Sequence, residues 1–141
     1  MSLQRDWILR LAEQLSQAIA RVAALRRQGR ADEAVKEIAN AAAGLAGIDL
    51  AMAASVDAAM LAGFVKEPPR TAALARLMLE RAEVARDAGD GPGDRAWRRR
   101  AVELWLEAGA AGAELDADAR AAVAAQPADA LSPRARALRD R

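Results

Sequence analysis

From Gln4 to Arg27 the apolar residues Ile8, Leu11, Leu15, Ile19 and Val22 recur at spacings of three and four, which puts them on one face of a helix. Trp7, Ala18 and Leu25 widen that stripe. Arg26 and Arg27 stand at the end where cations suit the helix dipole, and Gly29 fits a left-handed cap. A second helix is expected over Ala31 to Leu45, with Asp32 and Glu33 in its first turn and Ala34, Val35, Ile38, Ala41, Ala42 and Leu45 on its apolar face. The link at Gly29 is so short that these two helices must lie antiparallel.

Beyond Gly47 the pattern loosens. Asp49 and Ser55 are both capping types. Ser55 is the stronger start signal, opening Val56 to Phe64 with Met60, Leu61 and Phe64 as its apolar positions. Pro68-Pro69 suits the first turn of a helix reaching Ala88, with Leu74, Leu77, Met78, Val84 and Ala85 inward. The run Ala88 to Asp94 is the strongest loop signal in the chain, and Asp94 is expected to open the next helix, to Ala108, carrying Trp97, Ala101, Leu104 and Trp105. A short helix over Asp116 to Ala125 stops before Pro127. The last segment, 127–141, holds Arg134, Arg136, Arg139 and Arg141 with few apolar partners, and is expected as an Arg-rich tail with at most a short helix from Ser132-Pro133. No stretch alternates with period two, so no strand is expected. The fold class is therefore all-α: antiparallel helical hairpins, five to seven helices in all, in one domain over 1–126.

Composition narrows the chemistry mainly by exclusion. The 141 residues include no Cys and no His, and Tyr is also absent. That removes disulfides, thiolate nucleophiles, Cys/His zinc sites and any triad with a histidine base. Charge is balanced, with 21 Lys+Arg against 20 Asp+Glu. A net charge of +1 supplies no strong field for nucleic acid or anionic lipid. The least polar stretch, Ala41 to Val65, is Ala-rich and carries Asp49 and Asp57, which are costly inside a bilayer, so it is expected as short buried helices and not as a span. The opening residues mix Arg5 and Asp6 into an amphipathic pattern and are not expected to act as a signal peptide. A cytoplasmic location follows as the default expectation.

Two stretches share a hairpin logic. After Gly29 come Ala34, Ile38 and Ala41; after Gly89-Asp90 come Ala101, Leu104 and Trp105. Glycine lets the chain reverse, and small residues let the paired helices approach closely. On these residues the chain resembles the tetratricopeptide repeat (TPR) over about 14–46 and 74–108, although Asp94 and Arg98 stand where that repeat has a small residue and an aromatic. The opening Gln4-Arg5-Asp6-Trp7-Ile8 and the whole layout are also similar to a family of small uncharacterised bacterial helical proteins. The first resemblance implies hairpins stacked in a right-handed array with a concave groove; the second implies fold and no chemistry.

The candidate sites are few. Glu80, Glu83, Asp87, Asp90 and Asp94 cluster in sequence, but Arg76, Arg81 and Arg86 are interleaved and Arg98 stands where a Ca²⁺ loop would want a Glu, so a salt-bridged face is expected and no metal or cofactor. Trp7, near the start of the first helix, and the run Arg95, Arg98 and Arg99 beside Trp97 are the candidate partner contacts. The expected function is a non-catalytic protein–protein interaction or scaffolding module taking a peptide or helix in a TPR-like groove. The alternative is an anion or nucleic-acid binder using Arg95 to Arg100, and the third an enzyme restricted to carboxylates. A nucleic acid partner is not expected. The stripe Trp7-Ile8-Leu9 cannot be buried by one neighbour, so a homodimer is expected, unless Leu115 to Val123 folds back as a cap.

Overall fold

The turn at Gly29 is the pivot of the first hairpin. Gly29 takes φ +69°, and the Arg30 amide reaches back to the Leu25 carbonyl at 2.9 Å, which closes α1 (Leu3–Arg27) and starts α2 (Ala31–Ala46) two residues later. The same device ends α5 (Pro68–Asp87) and starts α6 (Gly91–Ala110): Gly89 takes φ +76°, and the Asp90 amide donates to Ala85 O at 2.9 Å. Between the hairpins lie α3 (Leu50–Ala53) and α4 (Ala58–Val65); after them come α7 (Ala117–Ala125), a 3₁₀ turn (Ala128–Ala130) and α8 (Pro133–Arg139). The computed structural model describes residues 3–141, and these are all-helical with no strand. Eight α-helices are present among them, more than the five to seven expected, because α3 is a single capped turn and the C-terminal segment folds.

The hairpins pack through α5, which touches α1, α2, α4 and α6. That position explains why α5 is buried on nearly all sides, Thr71 to Ala85, and not on one stripe. Alanines at 34, 42, 75 and 101 let the helices close, and Ile38, Leu74, Leu77, Met78 and Leu104 fill the space between them; all are fully buried.

Two expected helix starts are corrected. Ser55 does not cap α4; its hydroxyl donates to Met52 O at 2.8 Å and closes α3, while Asp57 accepts from the Met60 amide at 2.8 Å. Likewise α6 begins at Gly91 and not at Asp94, because Asp90 caps it by accepting from Gly93 N at 2.9 Å. The later α4 start turns Ala58, Leu61 and Val65 inward and leaves Met60 and Phe64 exposed, against the expected apolar face. A Cβ at Gly93 would collide with the Asp90 carboxylate. Gly93→Ala is therefore expected to lose the cap and about 1 kcal/mol of stability in urea unfolding, although alanine is the better helix former.

Ala41 to Val65 becomes the end of α2 with α3 and α4, and no helix of the described residues is long and apolar enough to cross a membrane. One backbone position there is strained. Lys66 sits at φ 72°, ψ −55°, with the Glu67 amide donating to Val65 O at 2.9 Å, which is the tight γ-turn that side chains disfavour. Lys66→Gly is expected to raise stability by about 1 kcal/mol, read as a higher urea midpoint at unchanged slope.

Candidate functional groove

The apolar stripe of α1 is wider than α2 can cover, and its uncovered edge forms one wall of a groove. Ile8, Leu15 and Ile19 are half-buried along it, with Ala12 and Ser16 exposed beside them. The first turns of α5 form the floor, low because Pro68, Pro69, Ala72 and Ala73 are short. Trp105 of α6 backs it, and the turn from Ala111 to Asp116 with Ala119 of α7 forms the opposite wall. The groove is open to solvent along one side, and its volume is about 980 Å³. Its surface is more apolar than polar, with Gln4, Ser16, Glu114 and Asp116 among its polar members. The one guanidinium, Arg76, lies 3.3 Å from Glu80 and 3.5 Å from Asp118, so it is already matched. Two carboxylates, Glu114 and Asp116, stand on the α7 side of the lining.

The sequence-derived contact residues fall elsewhere. Trp7 belongs to the groove-wall helix but turns away from the groove: it packs with Leu11, Leu45 and Ala73, and the Arg70 guanidinium covers its ring at 5.0 Å. Arg70 also donates to Leu45 O at 2.7 Å, satisfying the open end of α2. Arg95, Arg98 and Arg99 lie in the N-terminal half of α6 and are not part of the groove lining, to which α6 contributes Trp105. Arg98 is half-buried and donates to Glu83 at 2.9 Å and to Asp94 at 2.8 Å. Partial burial pulls the Arg98 guanidinium down, but these two acids outweigh it and hold its pKa above the ordinary value. Arg99 lies 3.6 Å from Glu103, and Arg95 is exposed. The structure therefore brings Arg98 together with acids, and not Trp7 with the arginines.

The acidic cluster is an ion-pair network. Arg26 of α1 donates to Asp87 at 2.7 Å and lies 3.6 Å from Glu83 and 3.8 Å from buried Glu80. The hydrogen bond from Arg26 holds the Asp87 carboxyl below its usual range, and the same bond raises Arg26. Asp94 pairs with Arg98 and Arg86, while Asp90 is spent as a cap. No group of three or more His, Cys, Asp or Glu among the described residues is placed to hold a metal ion.

A second set was not legible beforehand. Glu103 and Glu107, four apart on α6, are both buried; besides Arg99 on Glu103, their partners come from the C-terminal segment. The Ser132 amide donates to Glu103 at 2.9 Å, and Arg134 grips Glu107 with two bonds of 2.6 and 2.9 Å. The available signal was two acids embedded in the apolar run Ala101 to Ala108, which demands cations from somewhere in the chain. The segment that supplies them is not a loose end: Leu131 and Ala135 are buried on Val102 and Leu106.

No family model, no curated protein and no solved structure matches this chain.

Proposed function

We propose that the chain is a non-catalytic interaction module that takes a peptide or helix in the groove between α1, α5 and α7. The observation that carries this reading is the groove itself: about 980 Å³, more apolar than polar, with its single cation already paired. A right-handed TPR-like stacking is part of the proposal. It is supported by the matched turns at Gly29 and Gly89, by α5 packing on both helices of the preceding hairpin, and by a groove lined largely by the first helix of each pair. The insertion of α3 and α4 between the hairpins departs from a regular array.

Binding of anions through Arg95 to Arg100 is disfavoured by the carboxylates that already engage Arg98 and Arg99. An enzyme is disfavoured by the missing His, Cys and Tyr and by the exposure of Lys36 and Lys66, the two lysines. Leu115, Ala122 and Val123 pack against the main core, which supports a folded-back C-terminal segment, while Leu9 of the α1 stripe stays exposed. Light scattering at micromolar concentration is expected to give the mass of one chain; a mass of two, reduced by Leu9→Ser, would restore the dimer.

Panning a displayed peptide library on the purified chain tests the groove. Enriched peptides are expected to carry spaced large apolar residues and to lose binding by at least about tenfold on Ala12→Arg, which puts a charge against the aliphatic wall. Peptides that bind the variant equally would place recognition elsewhere and overturn the reading.

A further inference from the structure

The α7 wall of the groove rests on the main core through Ala119, Ala122 and Val123 and is held at its far end from outside the groove. The N-terminal turn of α7 contributes Ala119, and its cap residue Asp116 also lines the groove. The far end of α7 is gripped by α8: Arg139 Nη1 donates to Gln126 O at 2.6 Å and to Val123 O at 3.2 Å. α8 is fixed in turn to α6 by Arg134 on Glu107 and by Ser132 on Glu103. The apolar part of this attachment is small. Leu131 and Ala135 meet Val102 and Leu106 in a cluster separate from the main core, and Ala122 and Val123 of α7 lean on the same cluster. A helix of seven residues is not stable alone, so α8 is helical because it is docked. The Glu107 hydrogen bonds raise Arg134, with Asp57 of α4 adding to the effect.

We propose that α8 is a clasp for the groove: Arg134 seats it on α6, and Arg139 ties it to the end of α7, so that these two positioning residues fix the α7 wall. This rests on the groove as the binding site. A ligand that needs the wall in place binds the clasped state, and by linkage it holds α8 down.

The test is amide hydrogen exchange on the full chain and on Arg134→Ala, Arg139→Ala and Arg139→Lys. The Lys ammonium has donors for both carbonyls and serves as the conservative control. Arg134→Ala and Arg139→Ala are each expected to speed exchange across Ala117–Ala125 by about tenfold, leaving Ala31–Ala46 unchanged, while Arg139→Lys restores protection. A peptide enriched on the groove is expected to bind Arg139→Ala about tenfold more weakly and Arg139→Lys as it binds the native chain. Native-like exchange of α7 in Arg139→Ala would overturn the clasp. So would failure of Lys to restore it, equal loosening of α2, or unchanged peptide affinity. Should Arg134→Ala unfold the chain, the Arg139 pair still decides. Exchange as expected with no groove peptide found would keep the mechanical clasp and remove the binding function instead.

Discussion

Ile38→Ala is expected to lower the unfolding free energy by about 2–5 kcal/mol, a large share of what a domain of this size has. Ile38 is fully buried at the centre of α2, in the cluster that joins Val22 of α1 with Leu74, Leu77 and Met78 of α5. Its neighbours on that face are Ala34 and Ala42, which have no side-chain length with which to close a cavity. The loss is therefore the transfer term plus nearly the whole cavity term. Urea unfolding followed by circular dichroism measures it, with Lys36→Ala on the exposed face as the control. A loss below about 0.5 kcal/mol would mean that α2 packs by another face.

Arg26→Gln is the second large effect, expected at about 1–3 kcal/mol near neutral pH. The guanidinium is one bond from the first hairpin to the second: it reaches Asp87, Glu83 and Glu80, and Glu80 is buried. Removing it leaves Glu80 with Arg76 alone. The same contact has a pH signature. The Asp87 carboxyl is held below its ordinary value by Arg26, so folding favours its charged form. That contribution is complete above the carboxyl's unfolded value and is lost as pH falls through the lower folded value. The native chain should therefore lose stability below about pH 4, and the Arg26→Gln variant should lose less over the same range. Parallel slopes for the two proteins from neutral pH to pH 3 would show that the ion pair contributes nothing.

The first hairpin was legible because every local signal agreed. The stripe of α1, the arginines at its end, the left-handed Gly29 and the acids opening α2 all act within a few residues of one another. The fourth helix was legible in extent but not in register. Eight uncharged residues from Ala58 to Val65 carry no polar face, so only the cap could say which side turns inward, and the cap proved to be Asp57. Asp90 and Asp94 posed the same difficulty. Both are good capping types; Asp90 accepts from Gly93 N, while Asp94 is engaged by Arg98 and Arg86. Arg76 and Glu80, and Arg99 and Glu103, stand four apart on their helices, a spacing that suits pairing, and both pairs form, at 3.3 and 3.6 Å.

What stayed hidden depends on long-range placement. Arg95 to Arg100 reads as one basic run, yet α5 supplies Glu83 against Arg98, and only tertiary packing brings them together. The groove is built from residues chosen for what they lack: Ala12, Ser16, Ala72 and Ala73 make no signal in a hydrophobic pattern, and their smallness matters only once Ile8, Ile19 and Leu115 stand around them. The C-terminal segment reads as a tail with at most a short helix because its anchors, Glu107 for Arg134 and Glu103 for the Ser132 amide, lie nearly thirty residues earlier inside an apolar run.

The central claim is that the groove between α1, α5 and α7 receives a partner segment. Its most direct test places a photoactivatable phenylalanine at Ser16, on the groove wall, and separately at Asn40, exposed on α2, in cells that naturally make the protein. Irradiation is expected to give a discrete heavier adduct from position 16, none from position 40, and none from position 16 once Ala12→Arg is added. Equal adducts from both positions, adducts from position 40 alone, or an adduct at position 16 that survives Ala12→Arg would contradict it.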